Sequence, residues 1–236
     1  MNPLYTQRTA RLIGREKVAL LAERAVLLFG AGGVGSFAAE ALVRAGIGKL
    51  IMMDADCFDP SNINRQLGAT TATIGKKKVD VMKERLLTIN PDLQIETYAE
   101  FYLPETHAGF IAASGVNYVV DAVDTVRAKI AVIEEAYIHH IPVISSMGAG
   151  NKLHPELFEV TTIEKTSVDP LAKILRKELK KRNIHGVKVV YSKEKPCAVG
   201  RASTEAHPSP GSISFVPAAV GMIMGGVVIR DLAELA

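Results

Sequence analysis

The chain has no tryptophan, only two cysteines, and an aromatic content of 6% among its 236 residues. Two thiols, Cys57 and Cys197, are too few for a disulfide framework. No C-x-x-C pair occurs, so the usual ligand spacing of a structural zinc is missing. The six histidines form no H-x-H or H-x-x-x-H spacing. The adjacent His139 and His140 fall at the end of an expected helix, where the dipole alone favours them. Neither sign of charge is in excess: 28 Lys and Arg against 25 Asp and Glu leave +3. With 22% charged and 48% hydrophobic residues, disordered and low-complexity classes are excluded. No apolar run reaches the roughly 20 residues of a bilayer span. The longest, residues 216–229, contains Pro217 and stops before Arg230, and is expected to be a buried helix. The opening MNPLYTQRTARLIGREK has no apolar signal-peptide core. A cytoplasmic protein with no stable membrane span is therefore expected, with peripheral membrane association left open.

What is present is a hydrophobic pattern that alternates between helical spacing and short β-type runs, the mark of a parallel sheet covered by helices. The spacing predicts strands at 25–29, 50–54, 95–98, 118–121 and 143–145, with helices at 16–22, 38–45, 76–89 and 125–137 between them. This is an α/β, doubly wound, Rossmann-like and mostly parallel sheet with helices on both faces. Residues 24–150 form the nucleotide-binding core, and residues 151–236 a substrate-side strand and helix extension of the same single domain, 1–236. In the extension FEVTTIE reads as a strand. Asp169 stands at an N-cap with Pro170 at the first helical position, and Leu171, Ile174, Leu175 and Leu179 supply the apolar face. The Pro, Gly, Ser and charge-rich residues 193–212 predict an exposed loop.

Gly30-Ala31-Gly32-Gly33-Val34-Gly35 follows the first strand and opens a helix, the context in which G-x-G-x-x-G signals nucleotide binding. Glycine there lets the backbone turn tightly and approach phosphates, whose charge meets free N–H groups at the helix N-terminus. Asp54 ends the second strand about 20 residues on, where an acid accepts from ribose hydroxyls. So far a nicotinamide dehydrogenase fits equally well. The following Ser61-Asn62-Ile63-Asn64-Arg65-Gln66 and Gly75-Lys76-Lys77-Lys78 place several cations where a dehydrogenase needs none. Splitting a triphosphate does need them, because negative charge moves onto the departing pyrophosphate. Asp121 and Asp124, at the end of the fourth strand, are expected to face the same crevice and to hold Mg²⁺ through one carboxylate and water. Together these residues imply nucleotidyl transfer.

The ordered pieces GAGGVG, DAD, SNINRQ, GKKKVD and DAVD resemble the adenylating enzymes of the ubiquitin-activating, ThiF-like superfamily. The resemblance implies ATP and Mg²⁺ as cofactors. Asp54, with Asp56 beside it, resembles the family's ribose ligand, Asn62 and Arg65 its phosphate contacts, Lys78 its α-phosphate lysine and Asp124 its magnesium aspartate. Arg11, in TARLIG, resembles an arginine that the family supplies across a dimer interface, which implies a homodimer. Lacking C-x-x-C, the chain departs from most activators of sulphur-carrier and ubiquitin-like proteins. SSMGAGNKLHP, SVDPLAKILRKELKKR, VVYSKEKP and GSISFVPAAVGMIMGGVVI instead resemble the tRNA threonylcarbamoyladenosine dehydratase branch. His154 departs from that pattern, standing where an acidic residue is expected. This branch implies cyclisation of the threonylcarbamoyl group of a tRNA adenosine through an acyl-adenylate, and allows a sulphur-transfer protein as a partner. The alternative is an adenylating activator of a small protein's C-terminus.

A tRNA substrate gives a role to the basic face Lys173, Arg176, Lys177, Lys180, Lys181 and Arg182, with Lys188, Lys193 and Lys195 nearby, whose other reading is a solvated helix surface. Cys57 and Cys197 lie near no histidine in sequence, so neither is expected to be a nucleophile. Gly221 and Gly225 make a G-x-x-x-G that predicts close packing of the last helix on the sheet or on a second copy.

Overall fold

A computed structural model describes residues 2–197 and 210–235. Two short helices, α1 (Gln7–Ile13) and α2 (Arg15–Ala22), are separated by Gly14 at φ +90°. The central run is β1 (Ala25–Phe29), α3 (Gly35–Ala45), β2 (Lys49–Met53), α4 (Lys78–Ile89) and β3 (Gln94–Tyr98). The short α5 (Pro104–His107) and α6 (Phe110–Ala113) lead to β4 (Tyr118–Asp121), α7 (Val126–Ile138) and β5 (Val143–Ser146). The extension adds β6 (Phe158–Thr162), α8 (Pro170–Lys181), β7 (Lys188–Ser192) and α9 (Phe215–Leu232). The expected loop at 193–212 lies mostly outside the described residues.

The seven strands form one sheet in the order β3-β2-β1-β4-β5-β7-β6. Every pairing is parallel except that of β6 with β7. The α/β doubly wound expectation is met, with additions. Helix α1 and the short α5 and α6 are not signalled by the sequence pattern, and neither is β7, which inserts between β5 and β6. KVVYS is a short apolar run with charged flanks, which local pattern cannot assign.

Strand residues divide between the faces with the two-residue period of a pleated sheet. Val26, Leu28, Leu50 and Met52 pack under α3, α4 and α9, whereas Leu27, Phe29, Ile51 and Met53 face α6 and α7. Both faces are buried, which is why AVLLF and KLIMM read as continuous apolar runs. Helix α3 ends at Gly46, whose φ of +102° is the left-handed C-cap that glycine accepts most readily.

Helix α9 is long and apolar enough to cross a membrane, yet half of it is buried inside the molecule. Its glycines explain the burial. A Cβ on Gly221 would fall 2.2 Å from the Val34 carbonyl oxygen, and one on Gly225 2.7 Å from Ala41 Cβ. The G-x-x-x-G therefore seats α9 directly on α3, the helix that the glycine loop opens.

Candidate active site

A crevice of about 610 Å³ opens beyond the carboxyl ends of β2, β1, β4 and β5. It spans the junction between β1 and β4, where the winding of the sheet reverses and ligands bind in open α/β folds. One half is lined by Gly30, Gly32, Gly33, Asp54, Asp56 and Lys78, and the other by Met147, Gly148, Gly150 and Leu171.

The glycine loop is shaped by close approach. Gly30 has φ +88°, and a Cβ there would meet the Ala122 carbonyl oxygen at 2.7 Å. A Cβ on Gly35 would fall 1.8 Å from the Gly30 carbonyl oxygen, so Gly35 closes the turn onto the helix and does not line the crevice. Asp54 secures the loop from the neighbouring strand: Oδ2 accepts from Ala31 N–H at 2.6 Å and Oδ1 from Asp56 N–H at 2.9 Å. Burial pushes the Asp54 carboxyl above its ordinary range, against the opposing pull of the Ala31 N–H and the Lys78 charge.

Lys78 opens α4, its side chain 8% exposed, with Nζ 2.7 Å from Asp56 Oδ2. Arg65 lies over Gly33 and lines the crevice. Its guanidinium donates to Ser61 O at 2.8 Å and to Asn64 Oδ1 at 3.0 Å. Asp124 is an exposed carboxylate on the crevice wall, with Thr125 Oγ1 donating to it. Gln66 is buried beside the loop, and its Oε1 has no hydrogen-bond partner among the described residues.

Two expected contacts are corrected. Asn62 is buried outside the crevice lining, and its Oδ1 accepts from Asp59 N–H at 3.1 Å in a reciprocal capping arrangement, so it shapes the loop that carries Arg65. Asp121 is wholly buried beneath the crevice, with Oδ2 2.6 Å from Ser145 Oγ and 3.0 Å from Lys129 Nζ. Its acceptors are occupied inside the fold. Lys129 is a buried cation that the sequence does not reveal, because α7 reads as an ordinary amphipathic helix and nothing local marks its one lysine facing the sheet.

Part of the basic face makes contacts within the fold. Arg176 donates to Thr166 O and Oγ1, both at 2.7 Å. Lys181 and Arg182 pair with Glu178, and Arg182 also with Glu134. Lys188 pairs with Asp231 and Lys193 with Glu159. Lys173, Lys177 and Lys180 are exposed like Lys181 and Arg182 but carry no such ion pair among the described residues, and their i, i+4, i+7 spacing makes one stripe on α8. Arg11 is exposed on α1 and is not among the crevice residues. Cys57 and Cys197 are free, exposed and outside the crevice lining. His154 pairs locally with Glu156 at 2.8 Å.

Two further parts of the crevice are not marked as site residues by the sequence: Arg127, which lines it and pairs with Glu105, and the wall at 147–150. Both lie inside or next to motifs already noted, but only the fold turns them toward the crevice.

The model of the ThiF family matches residues 5–234. A tRNA threonylcarbamoyladenosine dehydratase of Bacillus subtilis (strain 168) is 43% identical over 239 residues, covering 96% of this chain and 94% of its own. The crystal structure of E. coli tRNA N6-threonylcarbamoyladenosine dehydratase, TcdA, in complex with ATP has a TM-score of 0.90 and 33% identity, covering 98% of this chain and 95% of that one. The complex of the same enzyme with AMP has a TM-score of 0.91 and 32% identity, with the same shares covered.

Proposed function

The chain belongs to the ThiF family, and from that premise we propose that its crevice transfers the AMP moiety of ATP to the threonyl carboxylate of N6-threonylcarbamoyladenosine in tRNA. It is an adenylating enzyme, and its reaction is ATP-dependent dehydration of that nucleoside. The observation that carries this is coverage: likeness to the dehydratases extends over 96% of the chain, into the part that forms the far crevice wall and the basic helix. Activating a protein tail is the weaker alternative, since it gives the stripe Lys173, Lys177 and Lys180 nothing to do.

A carboxylate is a poor acyl donor because its leaving group would be oxide. Attack of its oxygen on the α-phosphorus of ATP releases pyrophosphate and leaves an acyl-adenylate, whose leaving group is AMP. The ureido group of the same nucleotide then closes on the acyl carbon and expels AMP, so the net change is loss of water. Ring closure gains from holding both reacting groups on one nucleotide.

In this reading Gly30, Gly32 and Gly33 bring the backbone against the phosphates, and Asp54 accepts from the ribose. Lys78 and Arg65 balance charge as pyrophosphate departs. Asp56 holds Lys78 in line until the triphosphate replaces it. Among the described residues no group of three or more His, Cys, Asp or Glu is placed to hold a metal. A single carboxylate ligand suits Mg²⁺, which keeps most of its waters and takes its remaining ligands from substrate phosphates. Asp124 would hold it, and the ion would supply positive charge against the phosphates. Arg11 acts from a second copy in a homodimer; its exposure on α1 beside exposed Leu12 supports this. A sulphur-transfer protein is a further proposed partner, with no role given to Cys57 or Cys197. We take residues 1–236 as one adenylating unit, because a single sheet joins the 24–150 core to the 151–236 extension through β5 and β7; a tRNA substrate supports a cytoplasmic setting.

Nucleoside mass spectrometry on tRNA carrying the threonylcarbamoyl group tests the reading. Loss of one water from that nucleoside, only with ATP and Mg²⁺, is the expected result. Intact ATP binding with no mass change would return the assignment to a protein C-terminus.

A further inference from the structure

The far wall of the crevice is tied to α8 by a buried pair of charges. Lys152 and Asp169 side chains are each 1% exposed and lie 2.8 Å apart. Lys152 Nζ also donates to Gly148 O at 2.6 Å. Asp169 Oδ1 accepts from Ala172 N–H at 3.0 Å and so caps α8. A Cβ on Gly148 would stand 3.1 Å from Asp169 Oδ2, which shows how closely the wall is drawn onto the carboxylate. Gly148 and Leu171, the second residue of α8, both line the crevice.

Burying two charges costs more desolvation than an apolar pair of similar volume, so stability alone gives no reason for this pair. Its directional contacts do. They hold the wall, the cap of α8 and the segment before it in one geometry. That segment carries a further constraint: Val168 has φ +63°, a region that a β-branched residue rarely enters, and Asp169 N–H donates back to Ser167 O at 2.6 Å. No hydrogen bond runs from Lys152 or Asp169 to the glycine loop, to Asp54 or to Lys78 among the described residues.

We propose that Lys152 and Asp169 are positioning residues for the nucleic-acid substrate: they fix the spacing between the far crevice wall and the Lys173, Lys177 and Lys180 stripe of α8. A tRNA held on that stripe then presents its modified nucleotide to the crevice at a set depth. This rests on the dehydratase reading above. The pair acts on the acceptor alone, and ATP binding in the other half of the crevice is independent of it.

The test is the double variant Lys152→Met with Asp169→Asn, which removes both charges together and keeps a side chain able to cap α8. ATP affinity is expected to stay within about twofold of the parent protein. Turnover of threonylcarbamoyl-tRNA at saturation is expected to fall on the order of 10²-fold, the scale of an ångström misplacement of reacting groups. Lys152→Arg, which keeps the charge, is expected to recover most of it. If the double variant does not fold, Asp169→Glu shifts the wall by one methylene while keeping the pair, and is expected to give the same split. Parallel loss of ATP affinity and turnover, or turnover unchanged, overturns the inference. A parent protein that binds ATP but leaves the modified tRNA unaltered overturns the dehydratase reading, and the inference falls with it.

Discussion

Lys78 Nζ lies 2.7 Å from Asp56 Oδ2, joining a nearly buried lysine to a half-exposed carboxylate at the edge of the crevice. A lysine in this setting has few other places to go: its stem is enclosed by the fold and its charge is aimed along the crevice wall. Lys78→Ala is expected to lower pyrophosphate release on the order of 10²–10³-fold, the scale of losing one preorganised donor to a developing anion. The fold should survive, because the residue opens α4 and leaves the apolar side chains of that helix in place. Asp56→Asn is expected to cost less than about tenfold, since it removes only the partner that the triphosphate would displace. Pyrophosphate release measured beside circular dichroism checks both, and unchanged release in Lys78→Ala would remove this lysine from the site.

The three exposed lysines of the α8 stripe are expected to carry the electrostatic contact with tRNA. Changing Lys173, Lys177 and Lys180 to Glu should weaken tRNA binding and flatten its dependence on salt, by about 0.7–0.9 in the log–log slope for each phosphate that is no longer neutralised. ATP affinity should not change. Reversing Lys181 and Arg182 instead should do less to tRNA, because those charges are already held by Glu178. Filter binding across a salt series separates the two sets, and equal effects from both would mean that pairing within the helix does not matter.

Asp54 should make nucleotide binding sensitive to acid. Its carboxyl is raised by burial, so it takes up a proton at a higher pH than an unfolded aspartate does. The stability contributed by its protonated form is present below the unfolded value and is lost as pH rises through the raised folded value. Binding has the opposite sign. The ionised form accepts from Ala31 and Asp56 N–H groups and from ribose hydroxyls, so ATP affinity should decline as pH falls through that same value. Calorimetric titration of ATP at descending pH is expected to reveal the decline in the parent chain and to lose it in Asp54→Asn. An identical decline in both would assign it to another group.

Gly221→Val should displace α9 from α3. The added Cβ would meet the Val34 carbonyl oxygen at 2.2 Å, and backbone cannot rotate away as a side chain can. Overpacking of this kind costs about 1–3 kcal/mol or more. Thermal unfolding should shift down by about 2–4 °C for each kcal/mol of that cost. Val34 belongs to the glycine loop, so ATP affinity should fall as well. A variant as stable as the parent would mean that α9 is not seated as closely as described.

The strand, glycine turn and helix at 25–45 were legible from sequence because each depends on local chemistry: an apolar run buried on both faces, glycines where a Cβ would strike backbone, and a left-handed glycine at the helix end. Helix α8 was equally legible, since its N-cap, its proline and its apolar spacing all lie within one segment. The cations and acids around the crevice could be named because short, ordered motifs carry them. Three matters were decided only by tertiary structure. Asp121 and Asp124 look alike three residues apart, yet one is enclosed with Lys129 and Ser145 and the other faces the crevice. Six basic residues look alike along α8 and its C-cap, yet Arg176, Lys181 and Arg182 bond or pair with Thr166, Glu178 and Glu134. Strand β7 lies between β5 and β6, although β6 precedes it in the chain. Which charge is solvated, which is paired and which strand edge is free depend on neighbours brought from elsewhere in the chain, and no local pattern of residues carries that information.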